Sequence, residues 1–121
     1  MKYGIFGTFS MNLKHEHLSA YDLQKGGFFT GVLEVDEKGN VTGELEDSYG
    51  KSKISGFLDE KEISFEKNYL KPDGETGNTF QYNLFRRSSM ESWSGVWRFT
   101  GENPENEKHE GVAICSLFLG D

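Results

Sequence analysis

Apolar and polar residues alternate with a period of two along most of the chain, in short runs separated by turn-forming clusters. The clearest stretch is residues 28–70, "FFTGVLEVDEKGNVTGELEDSYGKSKISGFLDEKEISFEKNYL", punctuated by "DEKGN", "EDSYG" and "LDEKE". Asp36 and Gly39 return as Asp47 and Gly50, eleven residues on, the length of one strand plus one tight turn. The unit is a β-meander. Extended over the chain, the pattern predicts eight strands at 2–10, 27–36, 40–47, 51–59, 62–69, 79–87, 92–100 and 111–119.

The bulkier side of each strand is expected to face inward. It comprises Tyr3, Ile5 and Phe9; Phe29, Leu33 and Val35; Val41 and Leu45; Ile54 and Leu58; Ile63, Phe65 and Tyr69; Phe80, Tyr82 and Leu84; Trp93, Trp97 and Phe99; and Val112, Ile114 and Phe118. Gly7, Gly31, Gly43, Gly56 and Gly95 fall in the same register at mid-strand, where a flat sheet gains nothing from glycine and a closing one gains room to bend. Short hairpins and inward glycines favour an all-β, eight-stranded antiparallel up-and-down barrel over a Greek-key sandwich, which needs long crossing connections. The 121 residues suit a single barrel domain, 1–121. Residues 11–25, "MNLKHEHLSAYDLQK", interrupt the first two strands with a partial helical stripe; they read as a short helix or lid over a barrel mouth, or as a polar loop.

Composition agrees with the pattern: two alanines stand against 10 Phe, 15 Gly and 5 Tyr, a ratio suited to pleated sheet. A net charge of −7 disfavours nucleic acid and anionic membrane as partners. The lone Cys115 has no internal disulfide partner, and neither a signal peptide nor a membrane-length apolar run is evident, so a reducing cytoplasm is the expected location.

Four segments, "GIFGTFS" at 4–10, "GKSKISG" at 50–56, "ISFEKNY" at 63–69 and "SWSGVW" at 92–97, resemble in order the streptavidin and avidin group of the calycin barrels. The resemblance runs over residues 4–9 and 28–119 and implies a calycin-like barrel. It does not imply biotin binding. Leu45 stands where the family places a tyrosine hydroxyl on the ureido group, and Phe65 where it places a pocket tryptophan. Trp93 matches a ligand-wall residue, and Asp47 lies near a position usually held by serine. The strand at 79–87 is additional, and the family's last strand with its aspartate has no counterpart before Asp121.

Candidate chemistry centres on the inward face. Trp93 and Trp97 flank Gly95, an arrangement that either holds an apolar ligand or fills the core. Strict alternation turns Lys67 inward beside Phe65 and Tyr69. Buried, it needs a carboxylate, from Asp47 or from an acidic ligand; otherwise it reaches water at the barrel mouth. Tyr69 and Tyr82 add hydroxyls to the same face, and Arg86 continues the inward face of its strand but reads as solvating the strand end. His15 and His17 with Asp22 fall short of a metal-ligand spacing signature, so no metal or cofactor is expected. Cys115 reads as a structural thiol, because no histidine is placed as its base.

Ala113, Cys115, Leu117 and Leu119, assigned to the outer face with Phe57, Phe85 and Val96, leave the last strand apolar on both sides, which points to a homo-oligomer or to cover by residues 11–25. Three functions follow. The first is a non-catalytic barrel holding a small, mainly apolar ligand, with or without a carboxylate, through Trp93, Trp97, Lys67, Phe65, Tyr69, Tyr82 and Asp47. The second is a barrel isomerase or cyclase with Lys67, Tyr69 or Tyr82 as acid and base. The third is an assembly module working through its outer wall.

Overall fold

In the computed structural model, which describes residues 1–11, 26–72, 76–87, 92–101 and 110–120, every regular element is a strand. They are β1 (Lys2–Met11), β2 (Gly27–Val35), β3 (Asn40–Asp47), β4 (Gly50–Leu58), β5 (Glu62–Leu70), β6 (Thr76–Arg86), β7 (Ser92–Phe99) and β8 (Glu110–Leu119). Each pairs antiparallel with the next, and β8 returns to β1, so the sheet closes as an eight-stranded meander barrel. This is the architecture implied by the calycin resemblance. The expected helix or lid lies, beyond residue 11, outside the described residues.

The turn clusters work as Asx-type turns, in which a side-chain oxygen stands in for a backbone acceptor. Asp36 Oδ1 accepts from the Lys38 and Asn40 N–H groups at 2.9 Å, and Asp59 Oδ1 accepts from Lys61 and Glu62 at 2.8 Å. Gly39 and Gly50 close the first two hairpins with φ of 93° and 128°, a region costly for any residue with a side chain. Strand bounds match the periodic pattern to within a residue except at β6, which starts at Thr76 instead of 79. The hairpin continues past a register shift between Asn68 and Leu70, with Leu70 opposite Thr76. Such a bulge preserves pairing while breaking the alternation on which the expected boundary rested.

Seven strands bury the side expected of them. On β8 the expectation was inverted: Ala113, Cys115 and Leu117 are buried, whereas Val112, Ile114 and Phe118 are exposed. The ladders fix this, pairing Ile5 with Leu117, Gly7 with Cys115, Gly95 with Ala113 and Trp97 with Gly111. The room inside β8 is already taken by Trp93, Trp97 and Phe9, so its inner side chains must be small. Both faces of the strand are apolar, and bulk was therefore the wrong guide to direction. Gly111 shows the constraint most directly. A methyl there would collide with the Ser10 carbonyl and sit 2.6 Å from Trp97 Nε1; without it the indole reaches across β8 and donates to Ser10 O at 3.1 Å.

The core is continuous. Ile5, Leu33, Ile63 and Leu84 are fully buried towards one end, and Phe9, Phe29, Phe65, Tyr82 and Trp97 fill the other. Phe65 and Tyr82 stack with centroids 4.9 Å apart, while Trp97 meets Phe9 and Phe80 edge-on. The outer wall has two characters. Around β3, β4 and β5 it carries Glu44, Glu46, Lys51, Lys53 and Glu66. Around β7, β8, β1 and β2 it carries exposed Val96, Val112, Ile114, Phe118, Phe6, Phe28 and Val32, with Phe6 and Phe28 stacked at 5.8 Å.

Candidate functional site

The barrel has two mouths, and the sequence-derived site residues divide between them. One mouth gathers the end of β3, the end of β5 and Trp97; the other gathers the start of β7, with Trp93, and the β2–β3 and β4–β5 turns.

At the Trp97 mouth the lysine reading resolves in favour of an internal carboxylate. Lys67 Nζ donates to Asp47 Oδ2 at 2.5 Å, and both side chains are shut off from solvent. Tyr69, at the register shift of β5, turns its hydroxyl onto the same Oδ2 at 2.5 Å. Asp47 Oδ1 takes the Tyr49 N–H at 2.8 Å, so one carboxylate ties the β3–β4 turn to β5. The ammonium lies 4.6 Å from the Tyr69 ring centroid and 5.4 Å from those of Phe9 and Tyr82, within the range of cation–π attraction.

Burial draws the Lys67 ammonium below the ordinary lysine range, while the hydrogen bond and charge of Asp47 hold it up. Burial pushes both tyrosine hydroxyls far above their usual range, Tyr69 with help from Asp47's hydrogen bond. Both phenols therefore stay protonated at neutral pH. Ser52 is also buried, a polar residue that sequence reading missed; its hydroxyl reaches Leu45 O at 3.4 Å. No buried side-chain polar atom among the described residues lacks a partner.

Asp47, Phe65, Lys67, Tyr69, Tyr82 and Trp97 therefore come together, and Trp93 does not join them. The space beside Gly95 does not hold the two indoles around a gap. A side chain there would overlap the Asn83 carbonyl, because β6 crosses close against β7 at that point.

Trp93 instead belongs to an open cleft of about 530 Å³ at its own mouth, lined by Tyr3, Leu58, Asp59, Glu60, Arg86, Trp93, Leu117, Phe118 and Leu119. That volume lies within the range of small-molecule sites, ~300–1,000 Å³. Its floor is apolar and its rim is charged. Arg86 is the direct cross-strand partner of Trp93, and its backbone N–H donates to Lys61 O at 2.9 Å, which sets it beside the β4–β5 turn. The guanidinium has no ion-pair or hydrogen-bond partner among the described residues. Sequence reading placed Arg86 on the correct face but gave it only a solvating role. Its relation to Asp59 and Glu60 arises from β5–β6 pairing across the mouth and has no signature in the spacing.

Cys115 is buried and its thiol is pushed up to about 12 by desolvation, so it is protonated and inert at neutral pH. His15, His17 and Asp22 lie outside the described residues, among which no cluster of three His, Cys, Asp or Glu is placed to hold a metal. No helix among them is long and apolar enough to cross a membrane. No family model, curated protein or solved structure matches the chain.

Proposed function

We propose that the barrel is a non-catalytic binding protein for a small, mainly apolar molecule bearing a carboxylate, held at the Trp93 mouth. The observation that carries this reading is the cleft itself, with an apolar floor of Tyr3, Leu58, Trp93 and Leu117 and, at its edge, Arg86, whose guanidinium has no partner among the described residues. Concave apolar surface with a few placed polar or charged groups is the usual chemistry of such sites, and arginine matches a carboxylate with two parallel donors. Lys67, the other candidate cation, already has Asp47 as its carboxylate. For the same reason the isomerase or cyclase alternative has less to work with: two of its three groups, Lys67 and Tyr69, both donate to Asp47 Oδ2.

Each tryptophan reports on a different mouth, which makes fluorescence the natural test. Titration with medium-chain and aromatic carboxylic acids is expected to change the emission of Trp97→Phe, which retains Trp93, and to leave Trp93→Phe unchanged. A response confined to the Trp93→Phe variant would move the site to the Lys67 end and overturn the assignment.

A second reading rests on the outer wall. With a net charge of −7, two copies repel each other over most of their surface. The middle of the β7–β8–β1–β2 face carries Ser94, Val96, Val112, Ile114, Ser116, Phe118, Phe6, Thr8, Phe28 and Val32, with one charge at its β7 side, the Arg87 guanidinium, which donates to Ser94 Oγ at 2.8 Å and Ser94 O at 3.1 Å. Apolar sheet faces pack well on one another, and patches of this kind commonly mark interfaces. We propose self-association through this wall. Light scattering at micromolar concentration is expected to give a dimer that Ile114→Lys converts to a monomer; a monomeric parent chain would remove the proposal.

A further inference from the structure

We infer that the Trp93 mouth is built for a zwitterion, specifically a free α-amino acid with an aromatic or branched apolar side chain. This deepens the proposed ligand reading and rests on it. The argument starts from the signs of charge around the cleft. Arg86, at the end of β6, and Asp59 and Glu60, on the adjoining β4–β5 turn, all line the cleft. The ion pairs among the described residues are Lys2–Glu34 and Lys67–Asp47, so neither acid has closed onto Arg86 within ion-pair distance. Both signs are left facing the same volume.

Asp59 is held there by its turn. Its Oδ1 takes the Lys61 and Glu62 N–H groups, and those two backbone donors also keep its carboxyl below the usual range, ionised at neutral pH. Arg86 is held by its strand, opposite Trp93 and bonded through its N–H to Lys61 O. The opposite charges thus stand on two neighbouring elements joined by the β5–β6 ladder, lining the same cleft as the apolar residues.

A ligand with only a carboxylate would meet one guanidinium and two repelling carboxylates. One with only an ammonium would meet the acids and leave Arg86 unanswered. A molecule carrying both groups on one carbon satisfies both sides, and its side chain covers Trp93, Leu58, Leu117 and Tyr3. Discrimination then comes from the charge pattern and not from the apolar area.

The test compares three probes that share one ring: L-phenylalanine, 3-phenylpropionate, which lacks the ammonium, and phenethylamine, which lacks the carboxylate. By isothermal titration calorimetry, L-phenylalanine is expected to bind at least about tenfold more tightly than either analogue. Glu60→Gln is expected to weaken L-phenylalanine while leaving 3-phenylpropionate unchanged or tighter, and Arg86→Met to weaken both. Both substitutions lie at exposed positions, and circular dichroism confirms the fold of each variant. If 3-phenylpropionate or phenethylamine binds as tightly as L-phenylalanine, and Trp93→Phe weakens it, the zwitterion inference fails while the cleft reading stands. If none of the three binds with a Kd below roughly 1 mM, and the carboxylic acid titration is also silent, both fail together.

Discussion

Lys67→Met is expected to destabilise the barrel by about 3–5 kcal/mol, the cost of leaving a buried carboxylate without its counter-charge. For a chain of 121 residues that corresponds to a fall in Tm on the order of 15 °C. The reason is specific to this geometry. Asp47 is sealed from water and would keep only the Tyr69 hydroxyl and the Tyr49 N–H. The attraction between Lys67 and Asp47 should not be read as net stabilisation of the same size, because desolvation of the ammonium works against it. The double variant Lys67→Met with Asp47→Asn separates these terms. A neutral amide keeps one acceptor oxygen for the Tyr49 N–H and can turn its NH2 as donor to the Tyr69 hydroxyl oxygen, so the pair together is expected to cost clearly less than the two single changes summed. Additive losses in urea unfolding would show that the two side chains are not coupled, contrary to their contact.

Gly95→Ala carries the second large expected effect, a loss of about 3 kcal/mol or more in denaturant unfolding. The added methyl would overlap the Asn83 carbonyl and lie 3.1 Å from Leu84 Cα, both backbone atoms of β6 that cannot rotate away. Relief requires β6 and β7 to separate, which loosens Tyr82, Leu84 and Trp97 on the inner face. Gly27→Ala is the matching control. Its methyl would meet Ser48 Oγ at 3.5 Å, an ordinary contact, and lower unfolded-chain entropy is expected to leave it neutral or more stable by ~0.5 kcal/mol. Equal losses at the two positions would mean that the close approach of β6 to β7 contributes nothing to stability.

Most of the barrel was legible because two local signals coincide. Period-two alternation marks the strands, and Asp36, Asp47 and Asp59 each accept backbone N–H groups that close the turns between them. The inward position of Lys67 followed from parity, and the cost of an unpaired buried charge left Asp47 as one of three outcomes, beside an acidic ligand and water at the mouth; only the closed barrel decides among them. What escaped is what only closure decides. The direction of β8 depends on the volume left by Trp93 and Trp97, and no residue within β8 records that volume. The union of Arg86 with Asp59 and Glu60 depends on which mouth each turn occupies. Trp93 and Trp97 lie four residues apart on one face, yet that distance along a strand carries them to opposite mouths.

The closing ladder has a consequence for how the molecule forms. Seven of the eight pairings join neighbours in the chain, whereas β1 meets β8 with Tyr3 opposite Leu119. Hairpins can assemble early, but the seam must wait for the two most distant strands to find each other, which makes it the slow step. Until then two unpaired strand edges stand open beside Phe6, Ile114 and Phe118, in a chain whose finished form has no edge at all. The Trp97 indole, bonded to the Ser10 carbonyl across β8, is the latch over that seam. The vulnerable moment of this protein therefore belongs to its assembly, before the latch is set.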